Sequence, residues 1–276
     1  MNYYNLRIIK DRIMQILVYL ALLIALIPLF SVLYEIIQRG ISVINIDFFI
    51  KPIPTVGEAE GGIANAIQGT IITIGLASLI GVPIGLISGI FLSEYSDLKI
   101  SLAVRFLNDV LSGIPSIVVG IFVYALIVRS IGFSVIASAF ALSIIMIPIV
   151  TRTSEEALKL VPMSIREAAI ALGIPRWKTL VIIVFSSAKK AIITGILLSL
   201  ARIAGESAPV LVTMGYWRWW FAGLNRPVSN IALNIFVFAT SPFENWIALA
   251  WGSALVLIIF ILGINIAVRI FTRGRY

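Results

Sequence analysis

Six apolar runs, at about 14–34, 66–92, 106–128, 132–150, 190–211 and 246–268, fill most of this chain of 276 residues. A helix needs roughly 20 residues to cross a hydrocarbon core, and every run is close to that length or above it. A soluble protein with one large core would need charged faces on its surface helices, and the runs at 14–34, 66–92, 110–128 and 132–150 have almost none. The expected fold is therefore all-α: a polytopic membrane protein with about six transmembrane helices.

The absence of histidine and cysteine narrows the chemistry. Thiolate and imidazole metal sites, disulfides and histidine acid/base catalysis are all excluded, and no cofactor is expected. There is also no Gly-x-x-x-x-Gly-Lys-Ser/Thr loop to cradle nucleotide phosphates, so the chain is not expected to bind ATP by itself. A net charge of +8 would suit a nucleic-acid partner, but most of the charge falls in alternate loops of a membrane protein, and no nucleic acid is expected.

Placing the amino terminus in the cytoplasm puts Arg7, Lys10, Arg12, Lys99, Arg105, Arg152, Lys159, Arg166, Arg176, Lys178, Lys189, Lys190, Arg269, Arg273 and Arg275 inside, fifteen in all. Five, Arg39, Lys51, Arg129, Arg218 and Arg226, fall outside, and Arg202 lies within a run. Basic residues collect on the cytoplasmic side, so both termini are expected there. The first run has the basic start of a signal peptide but is too long, and no Ala-x-Ala-like site follows, so a retained anchor is expected.

Smaller features qualify this outline. Ala77, Gly81, Gly85 and Gly89 recur every fourth residue and make a smooth helical stripe suited to close packing, within the chain or against a partner. Pro115 favours a kink in the third run, with Ser112 and Ser116 placed to re-satisfy freed carbonyls. The aromatic cluster "YWRWWF" (216–221) reads as an interfacial anchor. The stretch "NIALNIFVF" (230–238) is too short to cross and reads as a buried or re-entrant helix. Asp109, near one end of the third run, caps the helix or snorkels and is given no role.

Between the fourth and fifth runs, residues 152–189 form the longest cytoplasmic stretch. Thr153 with Glu156, and Ser164 with Glu167, each fit a Ser/Thr-x-x-Glu capping box, which predicts short helices beginning near 154 and 165. Pro162 separates them, and Gly173 followed by Pro175 ends the second. Ile165, Ala168, Ala169 and Leu172 share one face of that second helix, with small side chains at its centre, as suits docking into a groove.

Glu167, Ala168 and Ala169, then Gly173 and Ile183, resemble the signature of permease subunits of ABC importers, in which it forms the coupling helix that docks on the ATPase. The usual signature closes on Ile-x-Leu-Pro, where this chain has Phe185 and Ser186. "GGIANAIQGT" (61–70), "GIFLSEY" (89–95), "VLSGIPSIVVGIFVY" (110–124) and "LARIAGESAPVL" (200–211) are similar to phosphate importer permeases of the PstA type. The resemblance implies the type I ABC importer permease fold, a single transmembrane domain over 1–276 with a core of about 63–269, and a non-catalytic subunit. It implies three partners: a cytoplasmic ATP-binding subunit dimer, a second homologous permease chain and an extracytoplasmic phosphate-binding protein. Another oxyanion such as molybdate, sulfate or phosphonate, or an ion-driven transporter, is the alternative.

Arg202 lies twelve residues beyond Lys190, so a rise of about 1.5 Å per residue places it roughly 18 Å into the bilayer. A guanidinium left on lipid there costs about 2.5–3.5 kcal/mol or more. Glu206, four residues on, can pair with it. Given the resemblance, Arg202 offers a charged fork to an oxyanion while Glu206 holds it in place; the alternative is a structural pair between helices.

Overall fold

A computed structural model describes residues 3–56, 58 and 61–272 of the chain. Arg273 and Arg275, counted above among the cytoplasmic charges, lie outside the described residues. Five helices are long and apolar enough to cross a membrane, and a sharply bent pair makes six if it is taken as one span.

The first span is α1 (Tyr3–Ile41). Its apolar surface is bare over most of its length, and only its carboxyl end packs, where Gly40 sits against Leu255 and Trp251. A short α2 (Ile46–Ile50) follows, capped by Asn45 Oδ1 accepting from the Phe48 amide at 2.8 Å. Next comes α3 (Ala64–Glu94).

The third run does not form one kinked helix. It breaks into α4 (Lys99–Gly113) and α5 (Ser116–Val123), the latter continuing through a π-helical turn at 124–128 into α6 (Arg129–Ile131), and the two halves are bent by 102°. Ile114 is extended at the break (ψ 129°), as the residue before a proline prefers. Ser112 donates to the Asn108 carbonyl inside α4 (2.9 Å) and so belongs to the first half alone.

The fourth span, α7 (Val135–Lys159), starts at a Ser134 cap and runs nine residues past the expected end. It absorbs the helix expected to begin near 154. Thr153 does not cap anything: its hydroxyl donates back to the Ile149 carbonyl at 2.8 Å, a bond compatible with an unbroken helix.

Beyond α7 lies the surface helix α8 (Met163–Ala171), and then α9 (Arg176–Lys178) leads through a π-helical segment, 179–184, into α10 (Phe185–Ala204). With Phe185 and Ser186 in place of Leu-Pro nothing stops the helix, and 176–204 is one continuous element. The fifth span ends at Ala204, short of the expected 211, and α11 (Ala208–Met214) is separate. Pro209 lies in the first turn of α11, where its missing amide donor costs nothing, which suits a new helix starting there rather than a continuation of α10. Finally α12 (Ile231–Ala239), begun by an Asn230 cap, is the short buried helix read from the sequence, and α13 (Glu244–Thr272) is the last span.

The small-residue stripe packs within the chain. Gly81 lies against Met146, Gly85 against Val150 and Gly89 against Ser154, so α3 and α7 run parallel, each stepping four residues along the other. Gly195 brings α10 against Thr153 on the same α7. The main core surrounds this pair, joining Ala77, Leu142, Met146 and Val150 to Ile203, Val210 and Leu233.

Candidate functional site

Two groups of residues carry the sequence expectations, and the fold places them apart: α8 on the surface beyond the end of α7, and Arg202 with Glu206 at the break after α10.

α8 starts after Pro162, two residues before the expected Ser164 cap, and no side chain caps it. The Ser164–Glu167 capping box is therefore not formed. Glu167 is exposed and has no ion pair or hydrogen bond among the described residues, which leaves its carboxylate facing solvent. The end of α8 matches the sequence reading closely. Gly173 has φ +79°, its amide donates to the Ile170 carbonyl (2.9 Å), and the Ile174 amide donates to the Ala169 carbonyl (3.1 Å). These two bonds form the Schellman closure that glycine permits without strain.

The face expected to dock divides in two. Ala169 is buried, whereas Ile165, Ala168 and Leu172 are exposed. Leu160, Met163 and Trp177, before, at the start of and beyond this helix, are exposed as well. A helix nine residues long with its apolar side chains outward has no stability of its own. It is held by packing along the π-helical segment and by Arg166, which pairs with Glu94 at the end of α3.

Sequence reasoning missed that anchor, and it missed a second charged group beside it. Arg105 of α4 donates to Glu155 Oε1 from Nη2 (2.8 Å) and Nε (3.1 Å), and Lys159 reaches the same oxygen at 2.6 Å. Arg152 lies 3.3 Å from Glu156 and 4.0 Å from Asp109, and these residues surround a cavity of about 220 Å³. Asp109 thus sits among charges of the α7 end. The i, i+4 spacings within α7 were visible in the sequence, but the partners on α4 were not.

Arg202 occupies the last turn of α10, where a cation complements the negative end of the helix dipole. Glu206 follows the helix end and is not on the same face of a continuous helix; the pair forms across the terminus, with Nη2 and Oε1 3.7 Å apart. That is an ion pair without hydrogen-bond contact. The Arg202 side chain is 58% exposed and that of Glu206 16%, so the guanidinium points away from the chain's own core.

At the opposite end of the bundle the aromatic cluster divides. Tyr216 packs with Phe238 and Trp246, and burial pushes its phenol pKa above the ordinary value, with the Arg218 charge pulling the other way. Trp219 and Trp220 stay exposed, Trp219 under the Arg218 guanidinium at 4.6 Å. Asn65, fully buried, ties this segment down by donating to the Arg218 carbonyl while accepting from the Ile53 amide at 3.2 Å.

Five or six apolar helices, one of them broken, with a short exposed helix beyond the end of the fourth span, define a polytopic membrane protein. The chain belongs to the family of binding-protein-dependent transport system inner membrane components, whose model matches residues 81–275. It is 42% identical over 272 residues to the phosphate transport system permease protein PstA of Pasteurella multocida (strain Pm70), covering 98% of this chain and 97% of that protein. It is 39% identical to the phosphate transport system permease protein PstA 1 of Mycobacterium tuberculosis (strain ATCC 25618 / H37Rv), covering 95% and 87%. Among solved structures, a bacterial ABC transporter involved in the import of the acidic polysaccharide alginate aligns with a TM-score of 0.61 at 18% identity, over 97% of this chain and 100% of that one. The MetNI methionine ABC transporter in an inward-facing conformation aligns with a TM-score of 0.59 at 17% identity, over 76% and 97%. At such identities the likeness is one of fold.

Proposed function

We propose that this chain is the transmembrane permease subunit of an ATP-driven phosphate importer. The observation that carries the substrate is the 42% identity, over nearly the whole of both chains, to a protein named as a phosphate transport permease. The whole of 1–276 acts as one permease domain with its core at about 63–269, and both termini lie in the cytoplasm, on the side favoured by fifteen of its basic residues. α8 is then cytoplasmic.

In this reading a dimer of separate ATP-binding subunits docks on α8. Glu167 offers it an exposed carboxylate, Ala168 allows close approach, and Ala169 holds the helix inward against its own chain. Gly173 sets the turn that returns to the fifth span. An extracytoplasmic phosphate-binding protein delivers the anion at the opposite end. A second homologous permease chain completes the pathway, and this chain supplies half of it.

Arg202 faces that shared pathway. Its planar, permanently charged fork suits a tetrahedral oxyanion, and Glu206 steadies it and keeps the empty site from trapping the anion. The outward turn of the guanidinium supports this role, because a cation at such depth requires a polar partner that its own helix bundle supplies only loosely.

Radiolabelled phosphate uptake at low external phosphate, in cells with and without the gene, tests the proposal. Loss of an uptake that excess sulfate or molybdate does not compete away is the expected result. Unchanged phosphate uptake would move the substrate to another oxyanion.

A further inference from the structure

Two arginines at the α8 end of the bundle make the same kind of bridge with the partners exchanged. Arg166, on α8, pairs through Nη1 with the Glu94 carboxylate of α3 and donates through Nη2 to the Leu158 carbonyl of α7 at 3.1 Å. Arg105, on α4, donates through Nη2 to the Glu155 carboxylate of α7 at 2.8 Å and to the Leu92 carbonyl of α3 at 3.2 Å. Each guanidinium therefore spans α3 and α7, taking a side-chain oxygen from one and a last-turn carbonyl from the other. Both carbonyls lie at the negative end of a helix dipole, where a cation is favoured. None of the four charged side chains is more than 31% exposed, so solvent screens these pairs less than it screens surface pairs.

The geometry assigns Arg166 and Arg105 as positioning residues that make the α3–α7 pair the mechanical link between the docking helix and the broken helix α4–α5. The inference rests on α8 being the ATPase-docking helix. α3 and α7 move as one body because Gly81, Gly85 and Gly89 leave no room between them for sliding past Met146, Val150 and Ser154. α8 is joined to α7 by residues 160–162 and packs chiefly along the π-helical segment, so the Arg166 side chain is what ties it across to α3. α4 joins the same body from another side through Arg105. A displacement of α8 passes through Arg166 to α3 and α7, and through Arg105 to α4, where the 102° bend converts it into a change at the pathway.

The chain has no cysteine, so two introduced thiols take spin labels uniquely. Ala171→Cys on α8 and Leu102→Cys on α4, both exposed positions, give one distance across the link. Pulsed dipolar spectroscopy on the assembled transporter is expected to show a single narrow distance population that keeps its mean when a non-hydrolysable ATP analogue is added, because the link carries α8 and α4 together. Glu94→Gln is expected to broaden it and to lower phosphate uptake about tenfold while the ATPase subunits stay bound and hydrolyse ATP within about twofold of the parent rate. The exchange Glu94→Arg with Arg166→Glu is expected to narrow the distribution again and recover uptake, which ties the defect to this pair.

An unchanged distribution and uptake in Glu94→Gln, or an assembled exchange variant that recovers neither, would overturn the link. If Glu94→Gln fails to assemble, the exchange variant decides. If the ATPase subunits do not bind the unsubstituted chain, the docking role has failed, and the distribution of the chain alone in lipid nanodiscs, with and without Glu94→Gln, still tests the link.

Discussion

Gly85 of α3 lies so close to Val150 of α7 that a β-carbon built on the glycine would come within 2.7 Å of the valine's own. Neither helix can yield there, because the same stripe meets Met146 and Ser154 one turn to either side. Gly85→Leu is expected to destabilise the chain by about 1–3 kcal/mol, the usual cost of overpacking a filled interior. Gly75 on the same helix has open space around its β position, and Gly75→Ala is expected to leave stability unchanged or raise it. Thermal unfolding of the two variants in detergent separates them; equal melting temperatures would dismiss the stripe as a packing seam.

The turn after α8 makes a different demand. Gly173 meets no neighbour, so its φ of +79° is the only barrier to substitution. A β-branched residue is strained in that region, and Gly173→Val is expected to cost about 1–3 kcal/mol locally and to misdirect α8. Glu167→Lys leaves the backbone alone and reverses one exposed charge. Both variants are expected to remain folded in the membrane and to lose co-purification of the ATPase subunits. Normal co-purification by both would remove the docking role from α8.

How far the sequence disclosed the structure depended on whether the deciding force was local. Length and apolarity placed the spans, the Gly173–Pro175 stop needed only its own turn, and the shortness of 230–238 ruled out a crossing. Prolines were less informative. Pro28, Pro83 and Pro148 sit inside continuous helices, while Pro115 breaks one. What differs at Pro115 is tertiary, since Gly120 on the far side of the break packs against Pro209 of α11. Thr153 shows the same limit, because a threonine three residues before a glutamate reads as a cap whether or not the preceding helix has ended. The link from Arg166 to Glu94 joins residues 72 apart, and no local pattern announces it.

Asn65 holds two chain segments at the end of the bundle opposite α8, and Gln68 holds one of them a second time by accepting from the Phe221 amide at 3.1 Å. Replacing Asn65 by leucine keeps the bulk but leaves the Ile53 amide and the Arg218 carbonyl without these partners. A buried group so orphaned costs about 1–3 kcal/mol. The expected outcome is faster proteolysis within 215–230 in Asn65→Leu, with a smaller change in Gln68→Ala. Cleavage at the parent rate would mean that the segment is held by its aromatic packing alone.

Arg202 and Glu206 distinguish a lock from a ligand site by how loosely they are joined. Their 3.7 Å separation and the exposure of the guanidinium make the pair worth no more than about 1 kcal/mol as an interhelical restraint. Arg202→Ala is therefore expected to leave assembly and melting temperature nearly unchanged. If the fork meets the anion, the same substitution removes a charge-assisted contact made in the pathway, and phosphate uptake is expected to fall at least about tenfold. Arg202→Lys keeps the charge but loses the planar pair of donors, so it is expected to recover only part of the rate. Uptake at the parent rate in Arg202→Ala would leave the pair a structural one and move the anion's path to another face of the bundle.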